Sequence, residues 1–252
     1  MKKCPVKDYI RADNVGFGYT RGQRVVSGVS FHLQRGGLTV LAGANGSGKS
    51  TLLLLLAGLF APREGSISVG GDVVPGQEKR VRARTGLLLQ ESELQILGTT
   101  VGEDMLLGSD RVDPENRKRA ENLASRLGLL ELWDSPVENL SGGQRRKLCL
   151  ASLLMAEPEV LLFDEPFSGL DYPAVCELRR ILQDNAERGV TQVVATHDLE
   201  PVLDLARDML LMDCGEIVGQ GPPEGLLDRA AGHGVRPPCL WQREGVVAKG
   251  LW

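Results

Sequence analysis

Apolar and polar positions along the chain divide it into three stretches. Near the start, "VVSGVSFHL" and "LTVLAG" are short apolar or alternating runs cut by glycine, and "GSISVGG" from Gly65 to Gly71 resembles a hairpin strand. This part reads as β-rich. After Gly48, "KSTLLLLLAGLF" runs unbroken to Pro62 and is apolar nearly all round, which predicts a buried helix. In the middle, "DPENRKRAENLASRLGLL" offers Asp113 as a cap, Pro114 at the first helical position, and Leu123 and Leu127 on one face. A helical insert from Asp113 to about Trp133 follows. The last part returns to strand, turn and helix: "EVLLFD", "TQVVATH" and "MLLMDCGEIVGQG" are apolar strands separated by helical segments, the pattern of a parallel sheet covered on both faces. Beyond Gly221 the pattern thins into glycine and proline, predicting a short helix and then a loosely held tail.

Composition narrows the class. With 42% hydrophobic residues in 252, the chain can fill a sizeable core. A balance of 33 acidic against 29 basic residues leaves a net charge of -4, which argues against nucleic acid as the main partner. Cys4, Cys149, Cys176, Cys214 and Cys239 are scattered, with no CxxC pair and no histidines at metal-ligand spacing, so a reducing cytoplasm is expected. The run Leu52 to Ala61 is too short to span a bilayer, so no membrane anchor is expected in the chain.

"GANGSGKST" follows the apolar strand "LTVLA" and precedes a helix, the context that a phosphate-binding P-loop requires. Gly43, Gly46 and Gly48 let backbone N–H groups turn inward around phosphates. Lys49 reaches the β- and γ-phosphates, Ser50 can ligate Mg²⁺, and Ala44, Asn45, Ser47 and Thr51 complete the nucleotide cradle. A chance match to GxxxxGK[ST] should occur in on the order of one in a hundred chains this long, and the flanking strand and helix lower that further.

Three further apolar strands end in polar groups. "VLLFDEP" delivers Asp164 and Glu165, which the alternation of a strand would send to opposite faces. Asp164 is expected to hold Mg²⁺ through water and Glu165 to accept the proton of the attacking water. "VVATHD" sets His197 at the sheet edge where such folds hold ligands, within reach of a γ-phosphate. "LLLQ" places Gln90 where an amide can meet Mg²⁺ and the lytic water. Tyr19 in "GFGYT" can stack on adenine or sit in the core. His32 and His233 have no partner set, and the basic clusters at Glu78–Arg84, Asn116–Arg119 and Arg145–Lys147 read first as solvated faces, with Arg145 the main exception.

"LSGGQRRK" poses a question, because Ser141, Gly142 and Gly143 opening a helix form a second phosphate grip. "GANGSGKST", "LSGGQ", "LLFDEP", "SGLD" and "THD", in that order, resemble the ATP-binding-cassette family from about Tyr9 to Gly221. The resemblance implies an α/β P-loop NTPase fold: a mostly parallel sheet covered by helices, an N-terminal antiparallel β subdomain and a helical signature subdomain. Residues 1–225 would form this domain, with the helical subdomain at about 91–158 and a short C-terminal tail at 226–252. It also answers the question. Ser141, Gly142, Gly143 and Gln144 would bind ATP held in the P-loop of a second subunit, identical or paralogous, and Asp171 would link the two sites.

"QESELQILGTTVGEDMLLG", Gln90 to Gly108, looks like the corresponding segment of energy-coupling-factor importers of the cobalt type: Gln90, Glu93, Gln95, Thr100, Val101, Glu103 and Asp104 keep the frame, while Ser92, Leu94 and Thr99 depart from it. The implied partners are an integral membrane scaffold and a small membrane protein that captures a vitamin or a transition-metal ion, with this chain at the cytoplasmic face. The rival readings are a soluble ABC ATPase acting on ribosomes or in Fe–S assembly, and a DNA-repair ATPase. Ribosome-acting members generally resemble two fused cassettes and the DNA-repair ATPases insert a long coiled coil, patterns that this sequence lacks, and a soluble non-transport ABC ATPase stays the alternative reading.

Overall fold

The computed structural model describes residues 8–107, 113–245 and 247, so Cys4 and Gly108 lie outside the described residues. The chain divides into two compact units, one formed by Met1–Leu87 with Glu159–Trp252 and the other by Leu88–Pro158. No helix among the described residues is long and apolar enough to cross a membrane.

The first unit carries two sheets. Strands β1 (Asp8–Phe17), β2 (Val26–Gln34), β4 (Glu64–Val69) and β5 (Asp72–Val74) form an antiparallel sheet in the order β2-β1-β4-β5. The second, six-stranded sheet is ordered β10-β9-β3-β8-β7-β6, from β3 (Gly37–Ala42), β6 (Thr85–Leu88), β7 (Val160–Asp164), β8 (Thr191–Thr196), β9 (Ala206–Asp213) and β10 (Glu216–Gly221). Strands β7 and β8 are buried at every residue, as continuous apolar runs covered on both faces must be.

Register sets the site. In the parallel ladders Ala42 pairs with Thr196 and Asp164 with Ala195, so β3, β7 and β8 end level with one another. Whatever follows each of them is delivered to the same edge of the sheet, the carboxyl edge where parallel sheets bind ligands.

Helix α1 (Lys49–Leu56) buries Leu52, Leu53, Leu55 and Leu56, each contributing about 1.5–3 kcal/mol. It stops short of Pro62, where the unbroken apolar run would have carried it. Gly58, at φ +67, takes the left-handed position after the last turn, with its N–H bonded to Leu55 O and the Leu59 N–H bonded to Leu54 O. Those two bonds form a Schellman stop, which overrides apolar periodicity.

Helix α2 (Glu78–Arg84) reads as a charged face, yet Arg84 is tied into a network. Its guanidinium bonds Asp72 at 2.7 Å and pairs with Glu159, which also accepts from the Tyr9 hydroxyl at 2.5 Å. The edges of both sheets are thereby joined.

In the second unit, α3 (Val101–Leu107), α4 (Pro114–Arg126) and α5 (Gly142–Met155) pack together. Asp113 caps α4 by accepting from the Asn116 N–H at 2.8 Å, with Pro114 at the first turn. Asp104 is buried and accepts from Leu97 N–H at 2.8 Å, Gly98 N–H at 2.9 Å and the Ser152 hydroxyl at 2.7 Å. That carboxylate fixes the loop before α3 from inside, while Glu103 holds Thr99 from outside. The loop so held leaves Leu94 75% and Leu97 81% exposed.

The remaining helices are α6 (Tyr172–Glu187), α7 (Leu227–Ala230) and α8 (Cys239–Glu244). Within α6, Arg179 makes a buried two-pronged pair with Asp204, 2.7 Å on each arm, and donates to Pro201 O at 2.6 Å. Two expectations change here. "MLLMDCGEIVGQG" is an antiparallel hairpin, because Cys214 and Gly215, both at positive φ, turn β9 into β10. The segment after Gly221 is packed at its start: Leu227, Ala230 and Val235 are buried, and Arg236 bridges the backbone of Asp198.

Candidate functional site

The loop from Gly43 to Gly48 leaves β3 and opens α1, and its geometry needs glycine. A Cβ on Gly43 would lie 2.5 Å from Met212 O, and Gly48 is left-handed at φ +105. The loop is braced from behind, where Gly215 N–H donates to Ser47 O at 2.9 Å.

Lys49 is buried at the loop's centre and donates to Gly43 O at 2.8 Å and Ala44 O at 3.1 Å. Its ammonium also stands 3.5 Å from Glu165 Oε1. Glu165 is buried and sits at φ +46, a conformation that costs a non-glycine residue on the order of 1–3 kcal/mol and recurs at functional positions. Its N–H donates to Ala195 O at 2.9 Å, so the turn past β7 is pinned to β8. On the carboxylate, Thr196 Oγ1 donates to Oε2 at 3.0 Å and His197 Nδ1 lies 2.9 Å from Oε1.

Asp164 and Glu165 do separate, but by that turn rather than by the alternation of a strand, since Glu165 lies beyond β7. Burial pushes the Asp164 carboxyl above the usual range; a hydrogen bond from Ser50 and the charge of Lys49 oppose the shift, and the Glu165 charge adds to it. Asp164 Oδ1 and Ser47 Oγ are the buried side-chain polar atoms without a hydrogen-bond partner among the described residues. The Asp164 carboxylate, with one oxygen orphaned and the Ser50 hydroxyl bonded to it, is a hard, all-oxygen donor set that fits Mg²⁺.

Tyr19 is 51% exposed and its hydroxyl is 3.1 Å from Thr51 Oγ1. Its ring packs edge-on against Phe17 and Phe60, with centroids at 5.3 and 5.8 Å. It is therefore no core tyrosine. Asn45 and Gly46 are exposed at the loop tip, and Asp171 caps α6 by accepting from Ala174 N–H at 3.0 Å.

Gln90 and the signature residues belong to the other unit. Gln90 is exposed, and its backbone oxygen accepts from Arg146 at 3.1 Å. Ser141 and Gln144 form a capping box at the start of α5: the Gln144 N–H donates to Ser141 Oγ at 3.3 Å and Gln144 Oε1 accepts from Ser141 N–H at 2.8 Å. Gly142 and Gly143 are exposed, and a Cβ on Gly143 would meet nothing within 4 Å. Arg145 pairs with Glu93 at 2.8 Å.

Sequence reasoning missed Thr196 and the partner of His233, whose Nδ1 lies 2.9 Å from Asp213 Oδ2. That bond holds the Asp213 carboxyl below its ordinary value. The available signal was positional: Thr196 and Asp213 both end apolar strands, as Asp164 does.

Residues 26–168 match the sequence profile of the family described as ABC transporter. The chain belongs to that family. It is accordingly an ATP-binding subunit of the ABC type and an ATPase, which accounts for a P-loop lysine facing a buried carboxylate. It is 34% identical over 240 residues to the cobalt import ATP-binding protein CbiO of Rhodobacter capsulatus, covering 92% of this chain and 86% of that protein. It is 30% identical over 237 residues to the energy-coupling factor transporter ATP-binding protein EcfA of Carboxydothermus hydrogenoformans, covering 92% and 88%. Among solved structures, CbiO1 of Clostridium perfringens, described as part of the ABC transporter complex cbiONQ, superposes with a TM-score of 0.78 at 29% identity, covering 95% of this ABC ATPase and 97% of that chain.

Proposed function

We propose that this ABC ATPase powers an energy-coupling-factor importer from the cytoplasmic face of the membrane, pairing with a second ATPase subunit, identical or paralogous, around two ATP molecules. The observation that carries the reading is the cluster at the end of β7 and β8, where one buried carboxylate meets Lys49, Thr196 and His197.

Lys49 and the backbone of Gly43, Ala44, Asn45, Gly46, Ser47 and Gly48 hold the phosphates, with Thr51 at the head of α1 and Tyr19 against adenine. Glu165 accepts the proton of the water that attacks the γ-phosphorus, and His197, engaged through Nδ1, turns Nε2 to the γ-phosphate. Ser50 and Asp164 are the residues of this unit that would hold Mg²⁺, which supplies charge neutralisation on the β- and γ-phosphates. From the partner subunit's side, Ser141, Gly142, Gly143, Gln144 and Asp171 would close on the same nucleotide. Ser141 Oγ accepts the Gln144 amide, so its own proton remains to donate to phosphate.

The relatives named above support the transport reading, and so does the exposed pair Leu94 and Leu97, held on a loop by Asp104. That surface suits the apolar side of a cytoplasmic helix from a membrane scaffold, which would work with a small membrane protein capturing a transition-metal ion such as cobalt or nickel, or a vitamin.

The test is purification from detergent-solubilised membranes of the native host, with mass spectrometry of what accompanies the chain. A multi-span scaffold plus a small membrane protein would establish the reading. A larger permease alone would discard the subfamily, and only soluble or ribosomal proteins would overturn transport.

A further inference from the structure

We propose that Thr196 is a positioning residue for hydrolysis, setting the second oxygen of the Glu165 carboxylate. The proposal rests on the reading of Glu165 as the base. Thr196 is the last residue of β8, and its side chain is among the most buried polar groups in the chain, at 2% exposure. Its hydroxyl has two acceptors in range, Glu165 Oε2 at 3.0 Å and Asp198 O at 3.1 Å, and it accepts from Asp198 N–H at 3.1 Å. A hydroxyl carries one proton. An ionised carboxylate is the stronger acceptor of the two, so the proton goes to Glu165 and the Asp198 amide occupies the lone-pair side.

The two carboxylate oxygens are then held by different groups. Oε1 faces His197 and Lys49, whereas Oε2 has the Thr196 hydroxyl. A glutamate side chain has three rotatable bonds, and anchors on a single oxygen leave the carboxylate plane able to swing about that contact. A second anchor on the other oxygen fixes the plane. A base must be held to within about 0.5 Å of productive geometry, and a rigid buried strand end supplies that better than His197, whose side chain is 49% exposed.

The experiment uses the full chain and steady-state ATP hydrolysis by Thr196→Val, Thr196→Ser, Glu165→Gln and the parent. Valine keeps the shape and removes the hydroxyl; serine keeps the hydroxyl. The expected result is a kcat lowered about tenfold or more in Thr196→Val. KM for ATP should be unchanged, the melting temperature of Thr196→Val should fall modestly because the Asp198 amide loses its acceptor, and Thr196→Ser should recover most of the lost kcat. A parental kcat in Thr196→Val would overturn the proposal. So would equal losses in the valine and serine variants, or a loss that resides in KM alone. Glu165→Gln retaining parental hydrolysis would instead remove Glu165 as the base, an outcome separable from anything seen at Thr196.

Discussion

Oε1 of Glu165 lies 2.9 Å from His197 Nδ1 and 3.5 Å from Lys49 Nζ. A single carboxylate oxygen thus joins the first turn of α1 to the end of β8. Replacing Glu165 by glutamine keeps the volume and removes the basic oxygen. Glu165→Gln is expected to bind ATP, to hydrolyse it 10²–10⁴-fold more slowly by phosphate release, and to accumulate as an ATP-bound dimer on size exclusion. Dimers that reopen at the parental rate would refute the assignment.

Gly143 lies in the first turn of α5, and a Cβ there would touch nothing within 4 Å. The fold gains nothing from glycine here, and alanine would stabilise the helix by about 0.5–1 kcal/mol. Gly143→Ala should therefore melt no lower than the parent, yet lose ATP-driven dimer formation and hydrolysis. If hydrolysis survives intact, no nucleotide approaches that backbone.

Arg179 and Asp204 form a buried pair that fastens the segment following His197 onto α6. Arg179→Met leaves the aspartate buried and uncompensated, at a cost of about 3–5 kcal/mol. The expected fall in melting temperature is on the order of 10 °C, with a smaller fall when Asp204 is also replaced by leucine. A fall of equal size in the double variant would show that the charge pair is not the source.

Burial first, and then its bond to Glu159, push the Tyr9 phenol up to about 12. The unfolded chain therefore loses this proton at lower pH than the folded one. The stability it contributes is fully present below pH 10 and declines as pH rises toward about 12. Tyr9→Phe should lower the denaturation midpoint at pH 7 and show a shallower decline between pH 9 and 11, read by urea titration at each pH. An unchanged slope would place the alkaline sensitivity elsewhere.

The chemistry was more legible in the sequence than the turns. Gly43 to Thr51, Asp164, Glu165 and His197 follow apolar strands, and a parallel register brings strand ends to one edge, so these residues could be placed before any coordinates. Hydrogen-bond detail was less accessible. Apolar periodicity cannot see a Schellman stop at Gly58, nor the hairpin at Cys214 and Gly215, because both depend on backbone angles set by one or two residues. Arg84 looked like part of a solvated basic face, since its acidic partners Asp72 and Glu159 are distant along the chain. Thr196 carries no distinguishing mark beside a histidine, although burial at the end of β8 gives its hydroxyl few partners to choose from.

Gly234 turns the chain at φ +72, and a Cβ on it would stand 3.0 Å from the methyl group of Ala44. Beside it His233 grips Asp213, and farther on the Cys239 N–H is held by Glu200 at 2.8 Å. Gly234 thus lies close beside the phosphate loop, with no room for a side chain between them. A side chain at Gly234 would therefore have to push against Ala44, so this turn admits glycine both for its backbone angle and for the room the phosphate loop leaves it.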